Sequence, residues 1–351
     1  MGNTYRIKDI AKMSGVSAGT VDRILHNRGK VSEEAYKKVN KVLKEIDYQP
    51  NLIARSLALK KSYRFIALIP LFAEGEYWAE LCNGIDKARQ ELFSYNVEVE
   101  RLYFDQYNQQ SFDELIPILE QTDYQGVVIA TSFYSSVMRL TQLLDQKKTP
   151  YVLIDAFIDK TNCIAYYGIN SFDSGYIAGR LLYDQINKTD NIVIFRFTHK
   201  GDVQVTQEIK REEGFRNYLL EKDFGGNIYT VLLEANDPNK NTAILDNFFD
   251  KHKDINTGII FNSKAHLVAQ HFKQKLKQFF LIGYDVIKSN TIYLENGYIS
   301  YLIAQRPEVQ GFNCIRALFR HIILKEEVNR INYMPIDILI KENIKYYNNY
   351  I

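Results

Sequence analysis

Over the first fifty residues the apolar positions recur at helical spacing, whereas beyond about residue 64 they gather into short β-rich runs separated by longer amphipathic stretches. Ile7, Ile10 and Ala11 fall on one helical face, and Ser14-Gly15 breaks the pattern where a turn needs a small residue. Val16-Ser17 restarts it. Ser17 is a natural N-cap for a helix running through Thr20, Val21, Ile24 and Leu25. Two short helices across a Gly-containing turn make a helix-turn-helix. A third helix is predicted from Ser32, a second cap residue, with Glu33 and Glu34 at the positive end of the helix dipole. Its Ala35, Val39, Val42, Leu43 and Ile46 form one apolar stripe, which closes a three-helix core.

The later runs read as strands: Phe65–Pro70, Val97–Phe104, Gly126–Thr131, Tyr151–Ala156, a segment near 164–169, Ile192–Phe197, Ile228–Leu233, Gly258–Asn262, Phe280–Tyr284 and Ile299–Ala304. Helix-length segments such as Tyr77–Phe93, Asp173–Ile186 and Lys210–Leu220 lie between them. Alternation of this kind predicts parallel sheets in an α/β fold, where ligands bind at the carboxyl ends of strands. Residues 61–351 are enough chain for two lobes.

Charge separates the same two regions. Residues 1–60 hold 12 Lys/Arg against 6 Asp/Glu, while the other 291 hold 32 against 36, so the whole-chain value of +2 conceals a basic head on a mildly acidic body. A head of net charge +6 points to a nucleic-acid partner.

Five blocks then occur in order: Ile7-Lys8-Asp9-Ile10-Ala11; Gly15-Val16-Ser17 with Thr20-Val21 and Arg23; Val31-Ser32; Tyr48, Pro50 and Asn51; and Ala54-Arg55-Ser56-Leu57-Ala58. Together they closely resemble the N-terminus of LacI/GalR-family transcription regulators. The resemblance implies a helix-turn-helix DNA-binding domain over 1–50, a hinge helix and linker over 51–63, and an effector-binding domain over 64–351. It places Ala18, Gly19 and Arg23 against base edges in the major groove, with Asp22 beside them. Arg23 has the geometry to bond a guanine bidentately, Ala18 offers a methyl to thymine, and Gly19 offers no side chain. Ser17, Thr20, Asn27 and Asn51 are then phosphate contacts that position the head. Arg55 and Leu57 belong to the hinge, where the family wedges a leucine into the minor groove and bends the duplex.

Two departures from the family pattern stand out. Asp22 replaces a small polar residue and sets a negative charge against DNA, tolerable where it accepts from a cytosine amino group. Arg6 stands where relatives carry a capping Thr, which trims helix stability.

Polar residues at the predicted strand ends resemble the sugar-contacting positions of type I periplasmic binding proteins, whose fold the family's effector domain shares. The implied architecture is two α/β lobes, about 64–166 with 288–314 and about 167–287 with 315–351. Asp173, Arg211, Asn262, Asp285 and Gln305 are expected to form a polar cage, with Tyr77 and Trp78 stacking on the apolar face of a sugar. Carboxylates, amides and guanidinium suit adjacent hydroxyls because each hydroxyl both donates and accepts. Asn262 is followed by Ser263 where many sugar binders have Asp, which removes one charge from the rim.

Other classes find little support. Cys82, Cys163 and Cys314 have no C-x-x-C spacing, no zinc pattern surrounds the histidines, and no G-x-G-x-x-G follows the first strand. No catalytic acid/base pair or phosphate loop can be read, so the chain is expected to be a non-enzyme without cofactor or metal. An exported sugar-binding protein of a transport system is the closest competitor, but the chain opens on the basic head without a secretory h-region, and no stretch is long and uncharged enough for a membrane. The expected protein is a cytoplasmic homodimer on a pseudo-palindromic operator, switched by a sugar or polyol.

Overall fold

A computed structural model describes residues 5–25, 31–46, 62–198, 206–234 and 237–350. The chain divides into two units, Met1–Lys61 and Ser62–Ile351. In the first, α1 (Ile7–Ser14), α2 (Ala18–Leu25) and α3 (Glu33–Glu45) enclose Ile10, Ala11, Val21, Ile24, Val39 and Val42. The caps follow from side-chain chemistry. Ser17 Oγ accepts from Thr20 N at 3.1 Å, and Ser32 Oγ accepts from Ala35 N at 3.3 Å. Arg6 has no acceptor to offer α1, yet Asp9 accepts from the Arg6 backbone N at 2.8 Å. Half of a capping box therefore survives without the hydroxyl. Gly15 ends α1 at φ 66°, the left-handed conformation that the break at Ser14-Gly15 required.

The larger unit opens with β1 (Tyr63–Pro70), α4 (Tyr77–Leu92), β2 (Val97–Phe104), the short α5 (Gln109–Asp113) and α6 (Leu115–Gln121), β3 (Gly126–Ala130), α7 (Tyr134–Gln146), β4 (Tyr151–Ile154) and β5 (Ala165–Gly168). It continues through α8 (Ser171–Tyr183), β6 (Ile192–Thr198), α9 (Thr206–Glu221), β7 (Ile228–Glu234), α10 (Pro238–Lys251), β8 (Thr257–Ile260), α11 (Ala265–Gln274), β9 (Phe280–Tyr284), α12 (Lys288–Glu295) and β10 (Tyr301–Ala304). It closes with α13 (Pro307–Phe319), β11 (Ile331–Tyr333) and β12 (Asp337–Leu339).

These strands form two six-stranded sheets, ordered β11-β5-β4-β3-β1-β2 and β12-β10-β9-β8-β6-β7. Every pairing in the first is parallel, and in the second only β12 runs antiparallel, against β10. Central strands such as β3 and β4 are buried throughout, as expected of a parallel sheet covered on both faces, while the edge strands β2 and β7 expose residues along their length.

The lobe boundaries differ from those expected. Residues 288–304 are expected in the first lobe, but β10 pairs with β9, so this stretch belongs to the second. Residues 315–333 are expected in the second, but α13 lays Cys314, Ile315 and Leu318 into the first lobe's core and β11 pairs with β5. Only β12 returns to the second sheet. The chain thus crosses between lobes near 169–170, 305–306 and 334–336. Periodicity identifies a strand, whereas its sheet depends on a long-range partner that periodicity does not name.

Each lobe contains one very close helix crossing. A Cβ built on Gly84 of α4 would sit 1.9 Å from the Glu308 carbonyl oxygen of α13, and one on Gly175 of α8 would sit 1.8 Å from that of Arg211 on α9. Both crossings need glycine because backbone, which cannot swing aside, occupies the space.

Candidate functional site

On α2, Ala18, Gly19 and Arg23 are exposed and Asp22 is half-buried, while Val21 and Ile24 face the core. The four residues thus share one outward helical face, the arrangement a groove-reading helix needs. Ser17 and Thr20 join hydroxyls at 2.9 Å at the start of that helix. Asn27, Asn51, Arg55 and Leu57 lie outside the described residues.

In the body, a cleft between the lobes is lined from the first lobe by Tyr77, Trp78, Tyr107 and Asp155, and from the second by Arg211, Glu208, Asn262, Lys264, Asp285 and Gln305. Arg211 is its centre. Only 1% exposed, it is held by Nη1 donating to the Phe261 carbonyl at 2.7 Å and by its guanidinium lying 4.1 Å from the centroid of the Tyr284 ring. Its Nε and Nη2 are buried without a hydrogen-bond partner. These two atoms form the parallel-donor edge of the guanidinium that suits two neighbouring acceptors.

Around that edge stand carboxylates. Asp285 accepts from Gln305 Nε2 at 2.8 Å, and Gln305 is itself held by Gln310 Nε2 donating to its carbonyl at 2.7 Å. Asp285 sits just past β9 at φ 69°, a conformation unusual for a side-chain-bearing residue. Asn290, fully buried, fixes it there by donating from Nδ2 to the Tyr284 and Asp285 carbonyls at 2.9 and 3.0 Å. Asn262 donates to Glu208 at 3.2 Å, so Glu208 of α9 supplies the carboxylate that Ser263 does not.

Asp155, at φ 83° just past β4, is the first lobe's counterpart. Thr131 Oγ1 lies 2.8 Å from both the Ile154 and Ala156 carbonyls and accepts from Ala156 N at 2.7 Å, bracketing it. Burial pushes the Asp155 carboxyl up to about 7, against the pull of Arg211 and with added repulsion from Asp285 and Glu208. Burial likewise raises Asp285, opposed by Arg211 and the Gln305 hydrogen bond, and raises Glu208, opposed by Asn262 and Arg211. The lobes touch across the cleft: Gln207 Nε2 donates to the Asp155 carbonyl at 3.4 Å, and Lys264 Nζ lies 5.5 Å from the Tyr107 ring centroid.

Of the residues expected in the cage, Arg211, Asn262, Asp285 and Gln305 converge on the cleft, as do Tyr77 and Trp78, whose buried rings meet edge-to-face at 5.0 Å. Asp173 does not. It is exposed at the start of α8, where Asn170 caps its backbone N at 3.2 Å and donates to its carboxylate at 2.6 Å. A carboxylate in the first turn of a helix serves the helix dipole, and that is its place here. Asp155, Glu208 and Lys264 were not anticipated. Asp155 ends an apolar run, Tyr-Val-Leu-Ile, and Glu208 precedes Arg211 by three residues on one helix; both were signals available in the chain.

Among the described residues no group of three or more His, Cys, Asp or Glu is arranged to hold a metal, and no helix is long and apolar enough to cross a membrane. The three cysteines are free and buried.

Comparison with known proteins adds the following. Residues 66–326 match the family profile of the periplasmic binding protein domain, and residues 6–51 match that of bacterial regulatory proteins of the lacI family. A solved chain from Bacteroides fragilis described as a LacI transcriptional regulator is 38% identical, with a TM-score of 0.79 over 82% of this chain and 100% of that one. The HTH-type transcriptional repressor PurR of Histophilus somni is 24% identical over 350 residues, 97% of this chain and 98% of its own. GanP, a glucose-galactose binding protein from Geobacillus stearothermophilus, is 19% identical with a TM-score of 0.70 over 81% of this chain and 99% of its own, a likeness of fold.

Proposed function

We propose, from the premise that this chain belongs to the LacI family of DNA-binding transcriptional regulators, that it is a homodimeric repressor whose grip on a pseudo-palindromic operator is set by a small carbohydrate-like effector in the interlobe cleft. The observation that carries the effector reading is the unpartnered Nε/Nη2 edge of buried Arg211. A buried guanidinium left half-bonded is costly, and a ligand with adjacent hydroxyls completes it. Tyr77 and Trp78 supply an apolar wall for its C–H face.

Two-fold protein symmetry maps onto two-fold operator symmetry. Effector that binds the open and closed cleft unequally shifts the lobes, and operator affinity changes only by that difference. Both halves of the reading are testable. Selection from a genomic DNA library at fixed salt should recover one palindromic motif, and uniform, purely salt-driven binding would sink the specific-regulator reading. Arg23→Ala should weaken operator binding by about 1–3 kcal/mol and relax one base pair per half-site. A thermal-shift screen of sugars and polyols should find a ligand whose stabilising effect vanishes in Asp285→Ala. A shift that survives that substitution would place the ligand elsewhere.

A further inference from the structure

The charge of the cleft bears on which effectors it admits, an inference that rests on the cleft being the effector site. Among its described lining residues Glu76, Asp155, Glu208 and Asp285 are acidic, and only Arg211 and Lys264 are basic. The surplus is built in. Where Ser263 leaves out a carboxylate, Glu208 reaches Asn262 from another element and restores it. Asp155, Glu208 and Asp285 all draw on the field of the one buried guanidinium. Burial raises all three carboxyls despite that pull, Asp155 to about 7, and Glu208 also draws on Lys264 and Arg196; with Asp155 holding its proton, Glu76, Glu208 and Asp285 still outnumber Arg211 and Lys264 in the lining.

A phosphate or carboxylate arriving on a ligand would be a further anion in a poorly screened space, where like charges repel most strongly. Hydroxyl groups meet the opposite reception. They donate to the carboxylates and accept from the free edge of Arg211 at once. An ammonium substituent relieves the carboxylates directly. We propose that the cleft takes an uncharged polyhydroxyl compound, or one bearing an amino group, and excludes sugar phosphates and sugar acids.

Isothermal titration of the full-length protein against matched sets, each a pentose or hexose with its amino, uronic-acid and phosphorylated counterparts, tests this. At least one neutral or amino member should bind, with its anionic counterparts weaker by about tenfold or more. Glu208→Gln, and separately Glu76→Gln, should narrow the ratio of neutral to anionic affinity several-fold, whereas a merely structural defect would lower both affinities alike. An anionic member that binds more tightly than its neutral counterpart overturns the charge inference and leaves the cleft's role standing. A panel in which nothing binds overturns instead the reading of the cleft on which the inference rests.

Discussion

In the first lobe Asp155 follows β4 at φ 83° and is bracketed by the hydroxyl of Thr131; in the second, Asp285 follows β9 at φ 69° and is pinned by the amide of Asn290. Each lobe also joins two helices at a glycine that no larger residue can replace without forcing the facing backbone aside. The scaffolds are therefore alike, and the difference lies in what surrounds the aspartates. The first lobe adds the rings of Tyr77, Trp78 and Tyr107 beside polar Glu76, Gln106 and Ser132, while the second adds Arg211, Glu208, Asn262, Lys264 and Gln305 and, among the described residues, no aromatic ring. The buried guanidinium is thus on one side and the aromatic surface on the other. In the proposed function, that division would let the second lobe select a ligand by its polar groups and the first close over its C–H face.

Substituting the two glycines puts the scaffolds themselves to the test. Gly84→Val and Gly175→Val should each abolish cooperative unfolding of the body, because the new side chain meets backbone at under 2 Å. Gly84→Ala and Gly175→Ala, whose single added Cβ already meets that backbone, should both lower stability by about 3 kcal/mol or more, read by chemical denaturation. Only the second, which displaces the backbone of Arg211, should also lose effector binding. Equal loss of binding in the two would deny the division between lobes.

Smaller effects sharpen it further. Arg211→Ala should weaken effector binding about 100-fold or more, since it strips the carboxylates of their cation and the ligand of its two donors. Trp78→Ala should weaken it by about tenfold, mostly through lost apolar contact, and titration calorimetry would rank the two. A larger effect at Trp78 would reverse the roles assigned here.

The smallest effect concerns protons. The Asp155 carboxyl lies near 7 in the folded body against an ordinary 3.8, so between those values the folded state holds a proton that the unfolded chain has released. Stability therefore falls as pH rises through that window. Asp155→Asn removes this contribution, and its melting temperature should gain on the parent's by a few degrees between pH 5 and pH 8. A constant difference across that range would mean the carboxyl is not held protonated.

Much of this was legible in the chain. Phe280–Tyr284 forms a strand with the bounds its β-rich run suggested, because buried parallel strands are nearly continuous in apolar residues, while Val97–Phe104, an edge strand, keeps its bounds with charged residues set among its apolar ones. The terminal strands β11 and β12 are not legible as strands: at three residues each, β11 largely exposed and β12 burying only Leu339, they are too short to carry a hydrophobic period. In the cleft, Arg211, Asn262, Asp285 and Gln305 could be found from their places at strand ends and on a helix that follows one. Asp173 misled because an acidic residue after Asn170 suits a cap as well as a ligand. Asp155 is masked by the apolar run Tyr151–Ala156 that contains it, and Glu208 by a helix whose first turn, from Thr206, carries no apolar period ahead of Lys210.

The order in which strands enter the sheets also bears on how such a chain is made. Synthesis begins the first sheet at Tyr63, yet β11, its last strand, is not available until Ile331–Tyr333 has emerged, after five strands of the second sheet. The lobe that starts first is thus completed only after most of the second sheet has been made. A ribosome that stalls between 305 and 330 would leave β5 as an uncovered edge, where a neighbouring nascent chain can pair.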